Sequence, residues 1–275
     1  MSRTSRTGWL EVAWATFIRD MRTASSYRIG FLLTIGGSIL NILGVFFLSQ
    51  AVGNSLAAPI DRYGGGYFGF AVIGVAFTSF MAVGLTGAAS RIREGQMMGT
   101  LELMLLSPNR LGVLLVSSTL WNLALATVAL VLYLVAGAVL GMDLSRANLL
   151  AAGASAGVAM VAFTGLGLIS ASIVIVVKQG NPVSLVVGLA SVLLAGVLYP
   201  PSVLPGWLQG IGQVLPLTHA LELLRRSMLG GEGLQALWPP FLSLALLAAL
   251  YLPIGLLACS HAVRIAQTDG SLSEY

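Results

Sequence analysis

Five stretches of this chain, residues 29–60, 63–90, 111–142, 147–177 and 179–221, contain no Asp, Glu, Lys or Arg. A bilayer's hydrocarbon core takes about 20 apolar residues per helix, so each stretch is long enough to cross it. With the apolar run near the C-terminus, the pattern predicts six spans at 29–52, 66–90, 111–140, 148–177, 182–199 and 237–260. Ahead of them, Leu10, Trp14, Phe17 and Met21 share a stripe while Glu11, Arg19, Arg22 and Ser26 lie away from it. That predicts an amphipathic helix over 8–27. The same pattern would serve a helix packed on a partner, but Trp and Arg on opposite faces beside a span favour the membrane interface.

Composition sharpens this to an all-α polytopic membrane protein forming a single transmembrane domain over 1–275. Hydrophobic residues make up 57% of the chain and charged residues 9%, against about 25% charged in soluble domains. The net charge of +4 raises nucleic acid as a partner, yet the arginines sit at the ends of apolar runs and form no basic stripe. Lipid headgroups are the expected anions. Placing both termini in the cytoplasm puts ten of the 14 basic residues inside and only Arg62, Arg146, Arg225 and Arg226 outside, as the positive-inside rule requires. Residues 1–28 hold Arg3, Arg6, Arg19 and Arg22 and no uninterrupted apolar core, unlike a cleaved secretory leader. The expected location is therefore the cytoplasmic membrane.

Several chemistries are disfavoured. Cys259 is the only cysteine, and His219 and His261, the only histidines, fall on opposite sides in this topology, so no metal site is expected. Spans without acidic residues offer no evident proton relay. A phosphate-cradling Gly-x-x-x-x-Gly-Lys-Ser/Thr loop is missing, because the sole lysine, Lys178, precedes Gln179. An ATP-driven cycle therefore needs a second polypeptide. Gly153-Ala-Ser155-Ala-Gly157 mimics a nucleophile elbow, but it sits in an apolar helix rather than a strand–turn–helix and has no base. Its small residues, like Gly137 and Gly141, suit close helix approach instead. Asn41, Gln50 and Asn122 are expected to bond between helices or to touch cargo. Tyr199, Trp207 and Trp238 are expected to anchor at the interface, with Asn41 and Tyr199 as possible conduit lining.

Two segments carry more. Between the second and third spans, residues 91–108 place Met97, Leu101, Met104 and Leu105 at helical spacing with Glu94, Gln96 and Glu102 supplying polar groups, and Pro108 discourages continuation. A short amphipathic helix along the cytoplasmic face is predicted around 97–106. Between the fifth and sixth spans, residues 200–229 are apolar but broken by Pro200, Pro201, Pro205 and Pro216 with Gly206, Gly210 and Gly212. One straight spanning helix is excluded, and a pair of half-membrane helices fits, the second presenting Leu217, Leu221, Leu224 and Met228 on one face and carrying Arg225 and Arg226 to the outer headgroups.

In these segments the chain resembles the ABC-2 family of ABC-transporter permeases. Gly99, Thr100, Leu101, Glu102 and Pro108, with Glu94 upstream, resemble the family's coupling helix, which inserts into a groove of the ATPase subunit. Gln96-Met97-Met98 loosens the spacing between Glu94 and Gly99. Pro200, Leu204, Pro205, Trp207, Leu208, Pro216, Leu217 and Thr218 resemble its re-entrant outer helical pair, though Leu215 stands where an Asn commonly precedes the break. The resemblance implies a permease subunit without catalytic residues, paired with a second permease, expected to be identical, and with ABC ATPases that bind ATP and Mg2+. The charge-free spans suit export of an amphipathic or hydrophobic cargo, a lipid or drug-like molecule. A lipid-linked glycan or polysaccharide is the alternative cargo. An intramembrane enzyme using Ser155 and an ATPase-independent channel subunit are the alternatives of another class.

Overall fold

The structure, a computed structural model, describes residues 28–52, 60–64, 66–99, 111–177 and 182–268, with Trp14 and Ile18 as isolated positions. Among these residues it is helical throughout, with no strand. The helices are α1 Arg28–Val52, α2 Gly66–Met97, α3 Leu111–Val139, α4 Leu149–Val177, α5 Pro182–Leu194, α6 Gly206–Gly212, α7 Pro216–Met228 and α8 Trp238–Thr268. The interfacial helix expected over 8–27 and the heart of the coupling segment, 100–110, lie outside the described residues.

Among the described residues, four helices are long and apolar enough to cross a membrane: Gly66–Met97, Thr119–Val139, Leu149–Val177 and Trp238–Ile265. They answer to the second, third, fourth and sixth predicted spans. The described apolar part of the first is shorter, Gly36–Val52, and that of the fifth is Ser184–Leu194. The fifth also departs from its expected end at 199. Its helix stops at Leu194, and Gly196 follows at φ +69, a left-handed conformation that glycine adopts without strain. A Cβ there would lie 2.4 Å from the Tyr199 carbonyl oxygen, so the chain turns back on itself. Thirteen helical residues reach about 20 Å, short of a core about 30 Å thick.

Packing centres on α4, which lies against α8, α2 and α7, while α2 also packs on α3. Glycines let the backbones meet at two crossings. A Cβ on Gly165 would lie 2.6 Å from the Leu252 amide nitrogen, and one on Gly255 2.5 Å from the Gly165 carbonyl oxygen. At the other crossing, a Cβ on Gly167 would lie 2.3 Å from the Gly84 carbonyl oxygen. Lipid tails give no hydrophobic drive between helices, so this closeness is how membrane helices gain dispersion contact. Gly153 and Gly157, expected in that role, meet no neighbouring atom within 4 Å. Gly137 does fill it, its Cβ position being 3.2 Å from Val72 of α2, whereas Gly141 lies in the turn after α3.

Interhelical hydrogen bonds also fall elsewhere than expected. Asn41, Gln50 and Asn122 are exposed. Instead the buried pair Ser170 and Ser184, 2.7 Å apart, joins α4 to α5, and the Ser184 hydroxyl donates to the Leu85 carbonyl of α2 at 3.2 Å. Two small hydroxyls thereby link three helices without bringing a charge into the interior.

Candidate functional site

Residues of interest gather at the two ends of α2. At its C-terminal end the helix runs beyond the predicted limit of 90 to Met97, and Arg91 pairs with Glu94 at 2.8 Å. The Met98 amide still donates to the Glu94 carbonyl, and the Gly99 amide to that of Gln96. Gly99 then adopts φ +65, the usual left-handed stop of a helix. A helix passing from Met97 to Leu101 is thereby interrupted: Met97 belongs to α2, not to the amphipathic helix expected from 97. Met97 and Met98 are both exposed, which leaves two flexible apolar side chains at the start of the segment holding Thr100, Leu101, Glu102 and Pro108. Those four lie outside the described residues.

At the other end stand α6 and α7, with 7 and 13 residues. Pro205 caps α6, and Pro216 opens α7 at the position where its missing amide proton does no harm. Leu215, the N-cap of α7, offers no side-chain bond. The break is fastened otherwise: the Thr218 hydroxyl donates to the Gly212 carbonyl at 2.7 Å, and His219 Nε2 lies 2.8 Å from that of Gln213. From α8 the Tyr251 hydroxyl donates to the Val214 carbonyl. Tyr251 lies 13 residues beyond Trp238, which sets the break about 20 Å from the start of α8. At the opposite end of α7 the Asn148 amide donates to the Ser227 carbonyl, level with the start of α4. Pro200 and Pro216 are buried, while Leu204 and Thr218 are half-buried. Pro205 and Trp207 are exposed.

Sequence reasoning sent both Arg225 and Arg226 to the headgroups, and for Arg225 that is wrong. Leu217, Leu221, Leu224 and Met228 form the buried face of α7 as expected, and Arg225 lies on it, 1% exposed. Its Nη2 donates to the Val197 carbonyl at 2.8 Å, Nη1 to Gly196 at 3.0 Å and Nε to Phe70 at 3.3 Å. The guanidinium carbon sits 3.3 Å over the Phe70 ring. Carbonyl dipoles and an aromatic face thus replace water around a charge that would otherwise be costly to bury. Gly74 makes the space, since a Cβ there would lie 2.2 Å from the Val197 oxygen and 2.8 Å from Arg225 Nη2.

Above Arg225 the remaining charges form a chain. Tyr63 accepts from Arg62 and donates to Glu222 at 2.6 Å. Burial, aided by the hydrogen bond and charge of Glu222, pushes its hydroxyl up to about 12, so it stays a donor at any physiological pH. Glu222 also faces Arg62 at 3.5 Å and Arg226 at 3.9 Å, and Arg226 grips Glu232 at 2.5 Å. Over this chain opens a cavity of about 420 Å³ walled by α6, α7, the 62–63 turn and the start of α8.

A second cavity, about 370 Å³, lies between α1, α2 and α3 and has no charged side chain on its wall. Ser38, Ser79, Thr86, Ser90, Asn122 and Tyr133 supply its polar groups among Phe80, Val83 and Leu125. Asn41 and Tyr199 line neither cavity: Asn41 is exposed on α1, and the Tyr199 hydroxyl donates back to the Leu193 carbonyl at the end of α5.

Residues 8–229 match the family of ABC-2 type transporters. The chain belongs to that family. Among curated proteins, none matches it. As an ABC-2 membrane domain the chain is the permease component of an ABC transporter, a multi-pass membrane protein that associates with an ABC ATPase subunit, as members of its family do. The permease offers no support for serine chemistry, because Ser155 is buried and its hydroxyl donates to the Ala151 carbonyl at 2.7 Å.

Proposed function

We propose that this permease exports an amphipathic or hydrophobic cargo, a lipid or a drug-like molecule, across the cytoplasmic membrane. Two identical copies form the conduit with two ATPase subunits, which hold ATP and Mg2+. Both termini lie in the cytoplasm, six segments cross the bilayer, the fifth by α5 together with the non-helical stretch after Leu194, and α6 with α7 form the re-entrant outer pair. The reading is carried by the family match over residues 8–229. The charge-free spans and the uncharged cavity between α1, α2 and α3 support the choice of cargo. Helices as short as α6 and α7 at membrane depth are tolerated only when buried in protein or lining a cavity, and both lie against one.

In this reading Thr100, Leu101 and Glu102 dock on the ATPase, with Glu94, Gly99 and Pro108 shaping the segment. Closure of the ATPases around ATP moves it. Glu102→Arg is expected to lower ATPase co-purification and cargo-stimulated hydrolysis by roughly tenfold, about 1.4 kcal/mol, with insertion unchanged. Wild-type hydrolysis and assembly in that variant remove the docking assignment.

Topology has its own test, favoured by the burial of the native Cys259. Single cysteines at Asn54, Ser145 and Gln235 are expected to react with an impermeant maleimide from outside, and cysteines at Met98 and Gln179 only from inside. Met98 is preferred to Gln96, which is buried. Labelling of Gln235→Cys from the cytoplasm overturns the six-span arrangement.

A further inference from the structure

In a chain whose apolar stretches avoid charge, Arg62, Glu222, Arg225 and Arg226 all reach the wall of one cavity. Three guanidiniums face one carboxylate there. With Glu232, which holds Arg226 from outside the wall, the described side chains of the cluster carry one positive charge in excess; Arg225 spends its Nε, Nη1 and Nη2 on backbone carbonyls, so an anion entering here meets Arg62 and Arg226. A concave, partly desolvated site with surplus positive charge concentrates anions. Arg62, which donates to the Tyr63 hydroxyl and lies 3.5 Å from Glu222, is still 55% exposed at its side chain, the most of the cavity's paired guanidiniums, and can turn toward a guest.

The walls indicate what kind of anion. Gln209 on α6, whose Nε2 gives one proton to the Leu204 carbonyl at 2.8 Å, and Gln213, the C-cap of α6, line the cavity, whereas Trp207, Ile211 and Val214 of the same segment are exposed and do not line it. A guest seated here meets guanidinium and amide donors at its head, while apolar surface lies just outside for a tail. Guanidinium forks bind phosphate oxygens in pairs.

We propose that this cavity binds a phosphate-ester group, that of a lipid headgroup with its chains along the outer face of α6. Glu222 is the intrinsic competitor: in the empty state it occupies Arg62 and Arg226, and an arriving phosphate takes its place on Arg62. Receipt of a departing cargo headgroup at this point rests on the exporter reading, whereas binding itself does not.

The test uses the full chain in neutral detergent with dioctanoyl phosphatidylglycerol as probe and dioctanoylglycerol, which lacks the phosphate, as control. Bound lipid is counted by native mass spectrometry and the thermal midpoint of each variant is recorded. The phosphate lipid is expected to bind and the control not. Arg62→Gln should weaken binding about tenfold with an unchanged midpoint, and Glu222→Gln should strengthen it by removing the competitor. A purely structural ion-pair network predicts the opposite sign for Glu222→Gln. Competition by inorganic phosphate shows that the phosphate group alone suffices, and its absence, with sensitivity to Arg62→Gln retained, makes the esterified lipid the occupant. Equal binding of dioctanoylglycerol, or affinity unmoved by both substitutions, overturns the site. Loss of ATPase stimulation with this binding intact counts against the exporter reading alone.

Discussion

Arg225→Met is expected to yield a protein that inserts but unfolds at a markedly lower temperature, with protease cleavage appearing first in 195–215. The substitution keeps the apolar stem and removes the fork that ties α7 to Phe70 on α2 and to Gly196 and Val197 after α5. Two effects oppose each other. Removing a buried charge recovers its desolvation penalty, while leaving buried carbonyls without donors costs about 1–3 kcal/mol each. The Phe70 carbonyl lies inside α2 and keeps its helical partner, so the loss falls on Gly196 and Val197, in a turn. Carbonyl dipoles and a ring already compensate the charge, so little is recovered by deleting it, and a net loss of about 2–5 kcal/mol follows. Arg225→Lys, which keeps the charge but cannot reach three acceptors in one plane, should fall between. A midpoint for Arg225→Met equal to that of the wild type sinks the assignment of this side chain as the tie.

A comparably large effect is expected for Gly167→Val. Its first added carbon would lie 2.3 Å from the Gly84 oxygen, and the obstacle is backbone, which cannot rotate away as a side chain can. Relief requires α2 and α4 to separate along their contact, forfeiting dispersion on both faces where no hydrophobic drive compensates. Failure to accumulate folded, monodisperse protein is the expected outcome, measured by size exclusion of a fluorescent fusion. Gly165→Val should behave alike, because its Cβ would lie 2.6 Å from the Tyr251 carbonyl carbon. Gly153→Val on the same helix, with open space around it, should stay within about 0.5 kcal/mol of wild type. Equal accumulation of the Gly167 and Gly153 variants would show that the crossing is looser than these distances.

That contrast separates what a sequence encodes locally from what only packing decides. Runs without charge located the helices because a bilayer imposes its thickness on sequence, and prolines with glycines located the broken segment because they forbid a continuous hydrogen-bond ladder. Which glycines lie at a crossing depends on how neighbouring helices rotate, and no single helix encodes that. Gly153 and Gly157 have the spacing associated with close approach, yet Gly165 and Gly167 do the work, two residues apart and serving different partners. The fifth span was overextended because Ala195–Tyr199 is as apolar as a helix, and only Gly196 hinted at the turn. Arg225 was misread although its register was available: it follows Leu221 by four residues and precedes Met228 by three, on the face already assigned to the interior. The expectation that arginine seeks headgroups outweighed periodicity. Arg226, four residues after Glu222, lies off that face and pairs with Glu222 and Glu232.

The helix α2 runs unbroken from Gly66 to Met97 and contains no proline. Its fifth residue, Phe70, bears a carbonyl that Arg225 grips, and its last turn adjoins the left-handed Gly99. Twenty-seven residues separate Phe70 from Met97, about 40 Å of stiff rod. A push or twist applied at the methionine end therefore reaches the arginine end as a change of angle of one solid shaft, with no relay of side-chain rearrangements between. Under the coupling reading proposed above, the half-helix hooked to that shaft would swing with it, and the left-handed Gly99 would be the point about which the following segment turns without unwinding the rod.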